Sequence, residues 1–188
     1  MKIGILTRNK NFWSSIQLRK NLHKRHITHV CFTFSQLIAR IGYSPYIQRG
    51  DHGILEELDA VIVRPIGYGS LEETIFRMDV LHRLQRLGMY ILNPPQAVEN
   101  CADKYHMLSL LEENDLPVPR TAVTESLEEA LQVFHELGED VIFKPIFSSG
   151  GMGSTRLTHP EVAATVFRNI LFNHGVIHLQ EFIPHQHT

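Results

Sequence analysis

Apolar positions in the first ninety or so residues switch between the spacings of strands and of helices. Lys2–Thr7 reads as a strand. Ile16, Leu18 and Leu22 recur at helical spacing within Trp13–Lys24, Thr28–Thr33 is a second strand, and Ser35–Ile41 predicts a short helix stopped by Gly42. Ala60–Arg64 is a continuous apolar run (AVIVR) of the kind buried inside parallel sheets. The following helix is marked at both ends, by a capping box of Ser70 and Glu73 and by a left-handed stop at Gly88. Leu71, Ile75, Met78, Leu81, His82 and Gln85 trace one face of it, widened by Leu84 and Leu87. Met89–Leu92 is a further strand, and Asn93-Pro94-Pro95 breaks the chain. Strand, helix and strand in this order make right-handed parallel crossovers. Residues 1–95 are therefore expected to form a small Rossmann-like domain.

The second half, 96–188, has a different order. Asp103–Asn114 is a helix, Pro117 and Pro119 impose an extended segment through Val123, and Ser126 with Glu129 makes a second capping box. Leu127, Ala130, Leu131, Phe134 and Leu137 form an apolar stripe ended by Gly138. A hairpin follows, then a helix that starts around Pro160, between Thr158 and Glu161, and stops at Gly175, then the strand Val176–Ile183. Helix, strand, helix, hairpin, helix, strand describes an α+β lobe, so the fold class expected is α/β with an α+β second part.

Composition narrows the field without deciding it. Eighteen basic residues against twenty acidic ones imply no strong field for nucleic acid, and no apolar run approaches a membrane span. The start, MKIGILTR, reads as a strand rather than a signal peptide. Cys31 and Cys101 are far apart with no CxxC spacing, which fits buried thiols in a reducing cytoplasm. The twelve histidines, His185 and His187 included, show no HExxH or similar metal spacing.

The chemistry concentrates between Val141 and Thr158. An apolar strand carrying Lys144 runs into Ser148-Ser149-Gly150-Gly151-Met152-Gly153 and out into a second strand. Glycines leave backbone N–H groups unobstructed, and successive amides make a concavity for an anion. The spacing is neither that of a P-loop, since no Lys-Ser or Lys-Thr follows, nor that of a dinucleotide fingerprint. A flexible hairpin tip of no special role is the plain alternative. Two further features share the second half: Asp103-Lys104 at a helix start, and Gln180-Glu181-Phe182-Ile183 on the last strand. Taken alone, Lys104 reads as a solvated surface lysine and Glu181 as an edge charge.

Together these residues resemble the ATP-grasp ligases, and more closely the RimK-like α-L-glutamate ligases. The matching stretches are LNPP at 92–95, CADK at 101–104, LPVPRT at 116–121, VIFKP at 141–145, SSGGMG at 148–153 and LQEFI at 179–183. RPIGYGSLEETIFRMD at 64–79 looks like the branch that adds glutamate to tetrahydromethanopterin. The resemblance covers essentially the whole chain. It implies a Rossmann-like pre-ATP-grasp domain at 1–95 and the first part of an ATP-grasp domain at 96–188. It also implies roles: Lys104 and Lys144 on nucleotide phosphates, the flap amides of Ser149, Gly150, Gly151, Met152 and Gly153 closing over them, and Gln180, Glu181, Phe182 and Ile183 holding adenine through backbone groups and the Glu181 carboxylate. The substrates implied are ATP, L-glutamate and a small-molecule or peptide carboxylate acceptor, joined through an acyl phosphate. No nucleic-acid or membrane partner is implied, and a homo-oligomer is expected at full length. Arg64, at the end of a strand beside the Pro65–Ser70 loop, is a candidate for binding an acidic substrate. A salt-bridged loop arginine is the alternative.

One part of the pattern is missing. The family holds Mg²⁺ with acidic residues and an asparagine, yet no Asp or Glu follows Glu181. The chain is therefore expected to be the front part of a longer ligase, inactive alone and lacking its metal ligands. Completion by a second polypeptide is the alternative. Glutamate addition to a protein C-terminus and a non-catalytic nucleotide-binding subunit remain the competing functions.

Overall fold

The computed structural model of the chain describes residues 1–67, 69–148 and 150–184. Tyr68, Ser149, His185 and His187 lie outside the described residues. The chain divides into two units, Met1–Glu99 and Asn100–Thr188.

The first unit runs β1 (Lys2–Leu6), α1 (Trp13–Lys24), β2 (Thr28–Phe32), β3 (Leu37–Ala39), β4 (Ile47–Arg49), β5 (His52–Gly53), α2 (Ile54–Glu57), β6 (Ala60–Val63), α3 (Leu71–Arg86) and β7 (Tyr90–Leu92). β1, β2, β6 and β7 form a parallel sheet in the order β2-β1-β6-β7, with Ile3 opposite His29 on one side and Ala60 on the other. Leu6, Phe32, Val61, Val63 and Ile91 from this sheet share a core with Met78, Leu81 and Leu84 of α3. The Ser70–Glu73 capping box is present in both directions. The apolar face of α3 is shorter than its sequence implies, because Leu71 and Ile75 are 57% and 52% exposed.

Two expectations for this unit are corrected. Ser35–Ile41 is not a helix. Only Phe34–Gln36 makes a 3-10 turn, capped by Thr33, and Leu37–Ala39 then pairs antiparallel with Ile47–Arg49. The pairing buries Leu37 and Ile47, and this non-local burial outweighs a weak local helical preference. Gly42, at φ +86°, belongs to the loop joining the two strands rather than to a helix end. Nor does Asn93-Pro94-Pro95 only break the chain. Pro95 opens α4 (Pro95–Ala102), where its missing N–H is no loss at a first helical position.

The second unit contains α5 (Lys104–Glu113), β8 (Thr121–Thr124), α6 (Leu127–Glu136), β9 (Val141–Phe143), β10 (Thr155–Leu157), α7 (Pro160–His174) and β11 (Ile177–Glu181). Its sheet is antiparallel, in the order β10-β9-β11-β8. The last strand is thus central, paired with β9 on one side and β8 on the other. α6 and α7 cover one face. Ala130 and Phe134 of α6 and Ala163, Phe167 and Ile170 of α7 pack with Val141, Phe143, Leu157, Ile177 and Leu179. Phe134 and Phe167 meet edge to face, with ring centroids 6.4 Å apart. Side chains alternate along a strand, so His178 and Gln180 lie on the opposite face of β11, as does Lys144 just beyond β9.

Candidate functional site

The helix-capping, strand-pairing and turn geometry of the second unit bring Lys104, Lys144 and the glycine-rich turn together. Lys144 follows β9 directly, and its N–H still donates to the carbonyl of His178 at 3.1 Å, which extends the ladder and holds the residue in register. Its Nζ donates to Gln180 Oε1. Gln180 is itself oriented, because its Nε2 donates to Thr121 Oγ1 at 3.0 Å and that hydroxyl donates to Pro119 O at 2.9 Å. The amide therefore presents oxygen, not nitrogen, to the ammonium.

Lys104 arrives from another direction. Asp103 caps α5 by accepting the N–H of His106 at 3.0 Å, which makes Lys104 the first helical residue. Its Nζ reaches Pro145 O at 2.8 Å, Ile146 O at 3.0 Å, Ser148 O at 2.8 Å and Ser148 Oγ at 2.8 Å. An ammonium has three donors, so these acceptors share them, and the first half of the turn is wrapped around one positive charge. Burial pushes the pKa of Lys104 below the ordinary lysine value, and the nearby charge of Lys144 lowers it further, against an opposing pull from Asp103. Burial lowers that of Lys144 as well. Two partly desolvated cations side by side are an unfavourable arrangement that an anion between them relieves.

The turn closes at its glycines. Gly150, Gly151 and Gly153 have φ of +67°, +74° and +76°, values that L side chains rarely adopt. At Gly153 a Cβ would also meet Pro145 Cγ at 2.9 Å. Met152 is half exposed at the tip. Ser149, a candidate on sequence grounds, lies outside the described residues.

Beyond β11 the chain is bracketed by two arginines. Both Glu181 oxygens are taken by Arg120: Oε1 accepts its backbone N–H at 2.8 Å and Oε2 its Nε–H at 2.7 Å. That pairing holds the Glu181 carboxyl below the usual carboxylate range. The carboxylate expected to reach adenine is therefore engaged within the protein. The Glu181 and Phe182 amides are likewise engaged, with Arg120 O at 2.9 Å and Asp140 O at 3.0 Å. The Arg156 guanidinium lies 3.5 Å from the Phe182 ring centroid and pairs with Asp140 at 2.7 Å. Ile183 follows this bracketed segment and is 55% exposed.

Arg64 belongs to the first unit. Its N–H donates to Leu6 O at 2.9 Å, and among the described residues its buried Nε has no hydrogen-bond partner. A cavity of about 170 Å³ does lie at the carboxyl ends of β1, β2 and β6, lined by Thr7, Arg8, Thr33, Ser35, Gly67 and Arg77 among others. Arg64 is not part of that lining, so the cationic side chains at the sheet's crevice are Arg8 and Arg77. Arg77 also pairs with Glu73 at 2.9 Å.

Sequence reasoning quotes Arg120, Thr121 and Ser148 within motifs but assigns them no role, and it does not single out His178. All are brought in by cross-strand register or by loop closure. His178 had a visible signal: in Ile177-His178-Leu179-Gln180 the polar positions alternate with the apolar ones, which places it on the face of Gln180.

Residues 1–98, more than half of the chain, match the RimK PreATP-grasp domain. The chain belongs to this family. It is 36% identical over 141 residues to the tetrahydromethanopterin:α-L-glutamate ligase of Methanosarcina acetivorans, over 69% of this chain and 43% of that protein. It is 30% identical over 185 residues to the protein of the same description from Methanococcus maripaludis, over 97% of this chain and 61% of that one. Its fold resembles that of a RimK-domain ATP-grasp protein from Sphaerobacter thermophilus, with a TM-score of 0.77 at 19% identity, over 99% of this chain and 66% of the other. The architecture is thus a pre-ATP-grasp domain followed by an ATP-grasp lobe, and the chain spans 43% and 61% of the lengths of the two ligases it matches. Among the described residues no helix is long and apolar enough to cross a membrane.

Proposed function

We propose that this chain carries the nucleotide-phosphate side of an ATP-dependent carboxylate–amine ligase, adding L-glutamate to an acidic acceptor of the tetrahydromethanopterin kind. The observation that carries this reading is the meeting of Lys104 and Lys144 at one glycine-rich turn on the α6/α7-free face of the sheet. The named relatives support the acceptor, and the RimK membership supports the chemistry.

In this reading a carboxylate oxygen of the acceptor attacks the γ-phosphorus of ATP, ADP leaves, and an acyl phosphate forms. The glutamate amine then attacks the acyl carbon, phosphate leaves, and the amine gives up a proton. The residues of this chain bind and shield rather than transfer protons. Lys144, aimed by Gln180, and Lys104, at the base of the turn, offset polyphosphate charge, and the amides of Gly150, Gly151, Met152 and Gly153 close over it. Gln180 through Ile183 form the edge against which adenine lies, the Glu181 carboxylate acting through Arg120. In the first unit the acidic substrate is assigned to the crevice that carries Arg8 and Arg77, while Arg64, outside that lining, stays a candidate on sequence grounds alone. Among the described residues no group of three or more His, Cys, Asp or Glu side chains is placed to hold a metal.

Calorimetry with a non-hydrolysable ATP analogue tests the reading. The wild-type chain is expected to bind it, and Lys144→Ala is expected to lose measurable binding. Unchanged affinity in Lys144→Ala removes that residue from the site, and no binding by folded wild type removes the nucleotide.

A further inference from the structure

His178 sits where the proposed site has its charge, yet that site gives it no task. The ring is 1% exposed, and among the described residues neither Nδ1 nor Nε2 has a hydrogen-bond partner. Leaving a buried polar group unpaired costs roughly 1–3 kcal/mol, and such groups in native proteins have a reason. The α6/α7 core offers none, since Ile177 and Leu179 on either side face it while His178 faces the other way. The cross-strand neighbour on β8 is the apolar Val123. The backbone carbonyl of His178 receives the N–H of Lys144 at 3.1 Å. The charged groups acting on the ring are Lys104 and Asp103 at the start of α5 and Lys144 at the end of β9. Gln180 shares its face and is already committed to Lys144 and Thr121.

We propose that His178 is a positioning residue of the phosphate cradle, taking up a proton when a nucleoside polyphosphate neutralises Lys104 and Lys144. The inference rests on the nucleotide reading above. With the cradle empty, a third positive charge beside two lysines in a buried setting is disfavoured. Burial is the largest influence lowering the ring's pKa from the ordinary histidine value; both lysines lower it further, while its own backbone, without hydrogen-bond geometry, and Asp103 oppose. A bound polyphosphate removes the repulsion and supplies an attraction, so the ring's affinity for a proton rises. The sign follows from linkage. Because the bound form holds the proton more tightly, nucleotide affinity strengthens as pH falls through the bound-state pKa and levels off below the free-state one. The imidazolium then adds positive charge behind the lysines, which keeps them directed at the phosphates.

The test is proton inventory. Binding of adenylyl imidodiphosphate to the 188-residue chain is followed calorimetrically in two buffers of different ionisation enthalpy, between about pH 6 and pH 8, where histidine titrates. Wild type is expected to take up more protons than His178→Gln, and its affinity to gain up to about tenfold more per pH unit on acidification, the limit for one proton. Adenosine, which lacks phosphate, is expected to show no such difference. In case the variant folds poorly, the His178 ring of the wild-type chain, assigned by through-bond correlation to its backbone, is titrated by NMR with and without the analogue, and its pKa is expected to rise. Equal uptake in wild type and variant, or a ring pKa that the analogue does not move, overturns the proposal while leaving the nucleotide site standing. No binding by wild type overturns both.

Discussion

The turn between β9 and β10 has two halves built on opposite plans. Its base, Pro145 to Ser148, is gathered around the single ammonium of Lys104 through three carbonyls and a hydroxyl. Its tip, from Gly150 to Gly153, is shaped by backbone angles: at Gly150 and Gly151 a Cβ would meet nothing within 4 Å. The edge beyond β11 follows the plan of the base, with Arg120 spanning both oxygens of Glu181. The contrast teaches that charge within the protein orders the base of the turn and the end of β11, while Gly150 and Gly151 at the tip are left unencumbered. On the proposed nucleotide reading, an ordered base beside an unencumbered tip suits the positioning of a polyphosphate.

The sharpest way to break this comparison is Lys104→Met, which keeps the aliphatic stem and removes the charge. Hydrogen bonds to a charged group contribute roughly 1.5–3 kcal/mol. The base is then expected to lose its order, seen as faster amide hydrogen exchange at Ile146 and Ser148, and ATP-analogue affinity to fall roughly 10- to 100-fold. Loss of affinity with unchanged exchange would mean that Lys104 contacts phosphate without organising the turn.

Glycine substitutions separate the two halves more finely. Gly153 has a left-handed φ of +76°, and a methyl group added there would stand 2.9 Å from Pro145 Cγ, so it joins tip to base. Gly153→Ala is expected to destabilise the chain by about 2 kcal/mol or more, from backbone strain plus steric overlap. Gly151→Ala carries only the strain, roughly 1 kcal/mol. Urea unfolding of both variants measures the gap. Equal effects would show that Pro145 moves aside and that base and tip are not coupled there.

How much of this was legible in the sequence depends on the range of the interaction. The Ser70–Glu73 box and the stop at Gly88 are local and were readable as such. The stripe through Ala130 and Phe134 was readable because a single period generates it. The β3–β4 pairing was not, since Leu37–Ala39 becomes a strand only through a partner further along the chain, Ile47–Arg49. In the second unit Lys104, Lys144 and the glycines stood out by type and order. Their pairings did not: Gln180 meets Lys144 across 36 residues, and Arg120 meets Glu181 across 61. A strand's side-chain alternation gives the face of a residue, but only the pairing register says which charge sits opposite. That is why the sequence shows Glu181 only as an edge charge and not as the partner of Arg120, and why the lysines around His178 are not visible in it.

The gentlest probe concerns that ion pair, the other region held by charge. Arg120's side-chain hydrogen bond, then its backbone N–H, depress the Glu181 pKa. A carboxyl with a lowered folded pKa adds stability that is fully present above its unfolded value, about 4.3, and is lost as pH falls through the folded one. Wild type is therefore expected to exceed Glu181→Gln in urea-midpoint stability by a constant small margin near neutrality, and the margin to close on acidification below the ordinary carboxylate range. Because the pair is solvent-accessible, added salt is expected to shrink the margin as well. A margin indifferent to both pH and salt would mean that neutral hydrogen bonds, not charge, hold the edge. The base of the turn, under Lys104, would then be held by charge in a way that the Arg120–Glu181 edge is not.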